Sequence, residues 1–201
     1  MASIKDKTLS GLVGPLIISH RYGKTYLRSK PCTVKNPRTP GQMKQRGKFK
    51  AASAFVSRNL DELIRPYWNP EARRNGMSGQ NLFCKLNTHA FSEDGYPDMA
   101  SLKPTAGCLG GLDSLKLEMK DENSLCFIWN NNARDKKTSG KNALKIFGIS
   151  LELKVEELQC NATRQAESFL LELNTTKYNH FFLFFWNKDL EQASPAVWIE
   201  I

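Results

Sequence analysis

RSKPCTVKNPRTPGQMKQRGKFKAASAFVSRNLDELIRPYW, Arg28 to Trp68, sets an extended, cationic front against a helix whose start can be read residue by residue. Asn36-Pro37 holds the approach extended, because the proline ring disfavours a helical conformation for the residue before it. Thr39 then serves as N-cap, Pro40 occupies the first helical position where its missing N–H costs nothing, and Gln42 completes a capping box. Phe49, Ala52, Val56, Leu60 and Leu63 follow at spacings of three and four, an apolar stripe on one helix face. Lys44, Arg46, Lys48 and Lys50 lie off that stripe, so the helix should bury one face and present a cationic one. Gly47 costs roughly 1 kcal/mol relative to alanine in a helix interior, so the helix bends there or something packs close to it. Pro66 should end the helix by Arg65.

Working outward, the charge is uneven. The chain of 201 residues has a formal charge of +9, yet residues 1–58 hold thirteen Lys and Arg against one acid, Asp6, which puts +12 there and −3 in the rest. Such asymmetry points to a polyanion or an acidic neighbouring subunit as partner, and it equally suits a solvated basic face. The apolar fraction of 40% is that of a folded globular protein and excludes disorder throughout. Upstream, Leu12–Ser19 and Lys24–Lys30 read as two strands around His20-Arg21-Tyr22-Gly23, with Gly23 supplying a positive φ. Lys24, Tyr26, Arg28 and Lys30 alternate onto one face, three cations around one aromatic, which suits phosphate contact with base stacking as well as a solvated hairpin.

Downstream, Leu82, Phe83, Leu86, Ala90 and Phe91 suggest a second helix with Ser78 as N-cap, packed on the stripe of the first. Residues 96–111 read as a linker. From Leu112 the apolar period changes to two. Leu115, Leu117 and Met119 face Leu125, Phe127 and Trp129 across a turn, and Asn130–Asn142 is a polar, exposed loop. Ile149, Leu151, Leu153 and Val155 read as one strand, with Leu144 and Ile146 out of phase across a β-bulge at Gly148. Strands are also expected at Phe169–Leu173, Phe181–Trp186 and Val197–Ile201. FFLFFW, apolar on both faces, should lie centrally and be covered on both sides. The expected fold is α+β: an N-terminal β-hairpin and two-helix unit over residues 1–95, then an immunoglobulin/fibronectin-like β-sandwich over residues 112–201.

The segments R-S-x-P (Arg28, Ser29, Pro31) and N-P-R-T-P-x-Q-x-x-Q-R-x-K-F (Asn36 to Phe49) resemble an uncharacterised family of about two hundred residues from Bacteroidetes and their phages and mobile elements. The resemblance covers the first third in motif and the β-rich remainder in pattern. It implies a small non-enzymatic protein, part of a virion or surface assembly, and lends no catalytic residues.

No P-loop, dinucleotide fingerprint or nucleophile elbow occurs in the sequence. His20, His89 and His180 lack metal-ligand spacing. Cys32 has Lys30 and Lys35 nearby but no local base. Cys32, Cys84, Cys108, Cys126 and Cys160 are odd in number and widely spaced, as free thiols in a reducing compartment would be. No cofactor, metal or catalytic group is expected. The apolar run Leu9–Ile18 is interrupted by Gly11, Gly14 and Pro15, so neither a signal peptide nor a membrane span is expected, and the location should be cytoplasmic or virion-associated. The reading is thus a structural or assembly protein whose partners are protein subunits of a larger assembly, including copies of itself. It would dock through Lys24, Tyr26, Arg28, Lys30, Arg38, Lys44, Arg46, Lys48 and Lys50. The rival is nucleic-acid binding by the same residues. An adhesive sandwich would need Trp129 or Trp198 exposed.

Overall fold

The computed structural model describes residues 3–5, 8–21, 23–33, 36–121, 124–172 and 177–200. The chain forms two units that part between Met43 and Lys44, within the first turn of helix α1 (Pro40–Arg58).

The first unit is an antiparallel meander, in the order β1 (Ser3–Lys5), β2 (Thr8–Val13), β3 (Leu16–Arg21), β4 (Lys24–Ser29). The single strand expected over Leu12–Ser19 is two, because Gly14-Pro15 forms a tight turn. Gly14 has φ +57° and the proline ring fixes the next φ near −65°, the sign pattern of a II′ hairpin. Gly23, at φ +73°, sits in the following turn as expected. After the meander, the Thr39 Oγ1 accepts a hydrogen bond from the Gln42 N–H at 3.4 Å and caps α1. Arg38, just before the cap, holds a left-handed φ of 51°.

In the second unit the buried stripe of α1 is Ala52, Phe55 and Val56, while Phe49, expected on it, is 54% exposed. Gly47 is explained by a close neighbour, since a Cβ there would lie 3.3 Å from Cγ of Glu93. The helix does not stop before Pro66. A π-helical stretch, Leu60–Trp68, carries the chain through it into α2 (Asn69–Arg74). The N–H groups of Leu63 and Ile64 both donate to the Asn59 carbonyl, at 3.1 and 3.2 Å, and the Asn69 N–H reaches back to Ile64. This wider turn tolerates a residue without a donor, and it brings Leu63, Ile64, Tyr67 and Trp68 all into the core. Helix α3 (Gly79–Asn87) starts at the expected cap, with the Asn81 N–H donating to Ser78 Oγ at 3.3 Å.

Two antiparallel sheets complete this unit. One is β5 (Asp113–Asp121), β6 (Ser124–Asn130) and β9 (Ser168–Glu172), in the order β5-β6-β9. The other is built on β10 (His180–Asn187). Its neighbours are β7 (Ala143–Ile149) on one edge and both β11 (Gln192–Ala193) and β12 (Val197–Glu200) on the other, with β8 (Val155–Leu158) beyond β7. FFLFFW is therefore central, and its alternation divides the interior. Phe182 and Phe184, with Phe147, Ile149 and Val155, pack against Phe55, Ile64, Tyr67, Trp68 and Phe83 of the helices. Phe181, Leu183 and Phe185, with Leu144 and Ile146, pack against Leu125, Phe127, Trp129 and Leu171 of the other sheet. The layers run helices, five-stranded sheet, three-stranded sheet, and the fold is α+β.

Three expectations change here. Residues 96–111 are not a linker: Leu102 and Leu109 are buried, Trp68 Nε1 donates to the Pro104 carbonyl at 2.7 Å, and Thr105 Oγ1 donates to the Ser194 carbonyl at 2.7 Å. The segment stitches helices to sheet, so the helices and the β-rich part share one core. The strand expected through Leu151 and Leu153 is a reversal between β7 and β8 without a bulge at Gly148; Leu151 is exposed and Leu153 has φ +61°. Alternating leucines happen to straddle a turn, which buried Asn59 fixes by donating to the Phe55 and Leu153 carbonyls, both at 3.0 Å, and accepting from the Val155 N–H at 2.8 Å. The loop after β6 is not wholly exposed, since Asn142 is buried and donates to the Lys137 carbonyl at 2.9 Å.

Candidate functional site

The expected docking residues fall into both units. Lys24, Tyr26, Arg28, Lys30 and Arg38 belong to the first, and Lys44, Arg46, Lys48 and Lys50 to the second. In the meander, cross-strand register decides which side chains share a face. Leu12 opposes Ile17, Ile17 opposes Arg28, Ser19 opposes Tyr26 and Arg21 opposes Lys24, so Lys24, Tyr26 and Arg28 lie together as expected. Lys30 follows the strand, its N–H donating to the Pro15 carbonyl at 2.7 Å. Tyr26 is 50% exposed and the three cations around it are exposed, which leaves an aromatic surface among positive charges. No described carboxylate pairs with Lys24, Arg28 or Lys30.

The opposite face was not legible as such in the sequence. Val13 opposes Leu16, Ile18 opposes Leu27 and His20 opposes Thr25, with His20 Nδ1 and Thr25 Oγ1 at 3.1 Å. Val13, Leu16 and Leu27 are 43%, 38% and 62% exposed, and no described side chain of the first unit is buried. Within the first unit the meander thus has one uncharged, largely apolar face and one on which Lys24, Tyr26 and Arg28 stand beside Leu12 and Ile17.

On the second unit, Lys44, Arg46 and Lys50 are exposed and Lys48 half-buried along α1. Its other polar clusters serve the fold. Arg164 is fully buried without a carboxylate: Nη2 donates to the Gly110 carbonyl at 2.6 Å, Nη1 to the Gly111 carbonyl at 3.3 Å and to Asn132 Oδ1, and the guanidinium lies 3.9 Å above the Phe185 ring. Burial lowers its pKa to about 10, so it stays charged at neutral pH. Backbone carbonyls stand in for the counter-ion, and the residue clamps two loops onto the core. Nothing in the local sequence signals this, since its partners are 32 to 54 residues away.

Glu156 accepts from Lys177 Nζ and Tyr178 Oη, both at 2.5 Å, and from Lys154 Nζ at 3.2 Å. These donors, Lys177 first, hold its carboxyl near pKa 2. Burial and the neighbouring glutamate raise the Tyr178 phenol, so that hydroxyl is a donor and not an activated base. Tyr67 Oη donates to Glu157 at 2.7 Å, and burial together with that carboxylate pushes its pKa up as well. Among the described residues no cluster of His, Cys, Asp and Glu could hold a metal ion, and all five cysteines are unpaired. A cleft of about 670 Å³ lies between Leu86 and His89 on one side and residues 100–107 with Pro195 and Ala196 on the other. Trp129, which an adhesive reading needs exposed, is buried with Nε1 donating to the Arg164 carbonyl at 2.8 Å, and Trp198 packs against the helix-side core.

Among the described residues no helix is long and apolar enough to cross a membrane. No curated protein matches the chain. Among solved structures it is similar to the fibronectin type III domain of human contactin 1, at 12% identity and TM-score 0.31, over 48% of this chain and 79% of that one. A family model described as a family of unknown function, DUF6266, matches residues 8–147, a span that takes in β2 to β4 of the meander, helices α1 to α3 and the strands through most of β7, and the chain belongs to that family.

Proposed function

We propose that this is a non-enzymatic structural or assembly protein that docks through its basic N-terminal unit, its β-rich part acting as an immunoglobulin/fibronectin-like scaffold that contacts other subunits. The observation that carries this reading is the cationic face of the meander, where Lys24 and Arg28 flank half-exposed Tyr26 without a described counter-ion. A concentration of +12 within 58 residues attracts an acidic surface over a Debye length of about 10 Å at moderate salt. The N-P-R-T-P-x-Q segment supports a role in virion or mobile-element assemblies, through its resemblance to small phage-associated proteins. The decisive test is capture of a defined acidic subunit encoded beside this chain. The native sequence should retain it and the double variant Lys24→Glu/Arg28→Glu should lose it. A partner held equally by both, or none at all, removes the reading.

The rival, nucleic-acid binding through the same face, is favoured by the exposed ring of Tyr26, a platform on which a base can stack for about 1–3 kcal/mol. Titration with single-stranded DNA, duplex DNA and RNA at two salt concentrations separates the two. The rival expects affinity to fall by about 0.9 log units per log unit of salt for each duplex phosphate contacted. No binding at low salt eliminates it.

A further inference from the structure

We infer that the apolar face of the N-terminal meander is a self-association surface, occupied by the same face of a second copy. The inference deepens the assembly reading, since it takes the meander to be a docking unit, but it concerns the face opposite the cations. Val13, Leu16, Ile18 and Leu27 come together there by register, three of them 38% or more exposed, in a unit with no buried described side chain. A sheet of a single layer has no interior of its own, and burying one apolar face is what stabilises small sheets.

Charge selects the occupant. A second copy cannot use the cationic face, where Lys24 and Arg28 would meet their own kind. The free edge of β4 is closed to it for the same reason. In a two-fold antiparallel pairing that keeps each face on one side and centres on Tyr26, Lys24 of each copy falls opposite Arg28 of the other, and like charges directly opposite are destabilising. The Val13, Leu16, Ile18, Leu27 face has no lysine, arginine or carboxylate among its described positions. Face-to-face pairing also turns both cationic faces outward, doubling the charged surface offered to an acidic partner.

Area sets the strength. Three strands of six residues at about 3.3 Å rise and 4.8 Å spacing give a face of about 300 Å², so two copies cover about 600 Å² in total. That is below the roughly 1,200 Å² of stable specific interfaces, so pairing is weak in free solution and gains from copies held close in an assembly.

Sedimentation velocity of the full chain from about 5 to 500 µM, with reductant present because Cys32 and Cys108 are exposed, tests this. The native chain should pass from monomer to dimer across the range. Leu27→Lys should weaken association at least tenfold, and the milder Leu16→Thr should weaken it less, with unchanged far-UV circular dichroism in both. Raising salt or introducing Arg28→Glu should leave association intact. A monomer throughout overturns the inference, as does a dimer indifferent to both apolar-face variants or one dissolved by salt or Arg28→Glu. Failure here leaves capture of an acidic subunit by the cationic face intact, and loss of that capture leaves dimerisation intact, so the two readings fail separately.

Discussion

Phe182 and Phe184 on β10 and Val13 and Leu27 on the meander are all apolar residues in antiparallel strands, yet the first pair is sealed between layers and the second faces solvent. The difference lies in what each strand has on its two sides. β10 is paired on both edges and covered on both faces, by helices through Phe182 and Phe184 and by the second sheet through Phe181, Leu183 and Phe185. Within the first unit the meander's strands pair only with one another, and none of its described side chains is buried. Backbone pairing therefore suffices to shape a sheet, while the energy that holds it comes from a second layer, supplied in the second unit by the chain itself.

The contrast breaks most visibly at Phe184. Its ring stacks on Phe147 at 5.5 Å and meets Tyr67 edge-on at 5.1 Å, with no exposed surface. Phe184→Ala should cost about 3–5 kcal/mol, the transfer energy of the ring plus that of the cavity it leaves. Urea denaturation of the second unit, followed by tryptophan fluorescence, measures it. A cost under 1 kcal/mol would mean that the helix layer does not clamp this sheet.

Much of this layering could be read locally. The caps at Thr39 and Ser78 are written within four residues, the β5–β6 pair follows from alternation, and the centrality of β10 follows from a run that is apolar on both faces. What escaped is carried by distance. Asn59 and Arg164 act on backbone groups up to 96 residues away, and a polar residue among polar neighbours looks the same whether it solvates or staples. Pro66 reads as a stop because the rule assumes an α-helix, and the π turn relaxes it. Leu151 and Leu153 mimic a strand because periodicity is blind to a reversal. For the candidate site, the grouping of Lys24, Tyr26 and Arg28 was legible, but the apolar opposite face was not, since it needed Gly14-Pro15 read as a turn.

A smaller effect sharpens the comparison through charge. Glu156 clasps β8 to Lys177 and Tyr178, which lead into β10, and its pKa is lowered from 4.5 to about 2. A depressed folded-state pKa gives stability that is complete above the unfolded value and is lost as pH falls through the folded one. The native chain should therefore lose more melting temperature than Glu156→Gln between pH 4.5 and pH 2, and the two should run parallel above that window. Differential scanning fluorimetry at half-unit steps reads the difference. Parallel curves throughout would show that the clasp holds nothing.

The smallest expected effect lies in the meander. Leu27 is 62% exposed, so in dilute solution, where no second copy covers it, Leu27→Ser removes little buried surface and should change stability by less than about 0.5 kcal/mol. At high concentration the same substitution should matter, because it then deletes part of an interface. Hydrogen exchange separates the two regimes. Amides of β3 and β4 should exchange through local opening when the native chain is dilute and slow down as it is concentrated, whereas those of Phe182–Phe185 should hold to global unfolding at every concentration. Concentration-independent protection of β3 and β4 equal to that of β10 would mean that the meander has its second layer already, and the distinction between the two sheets would vanish.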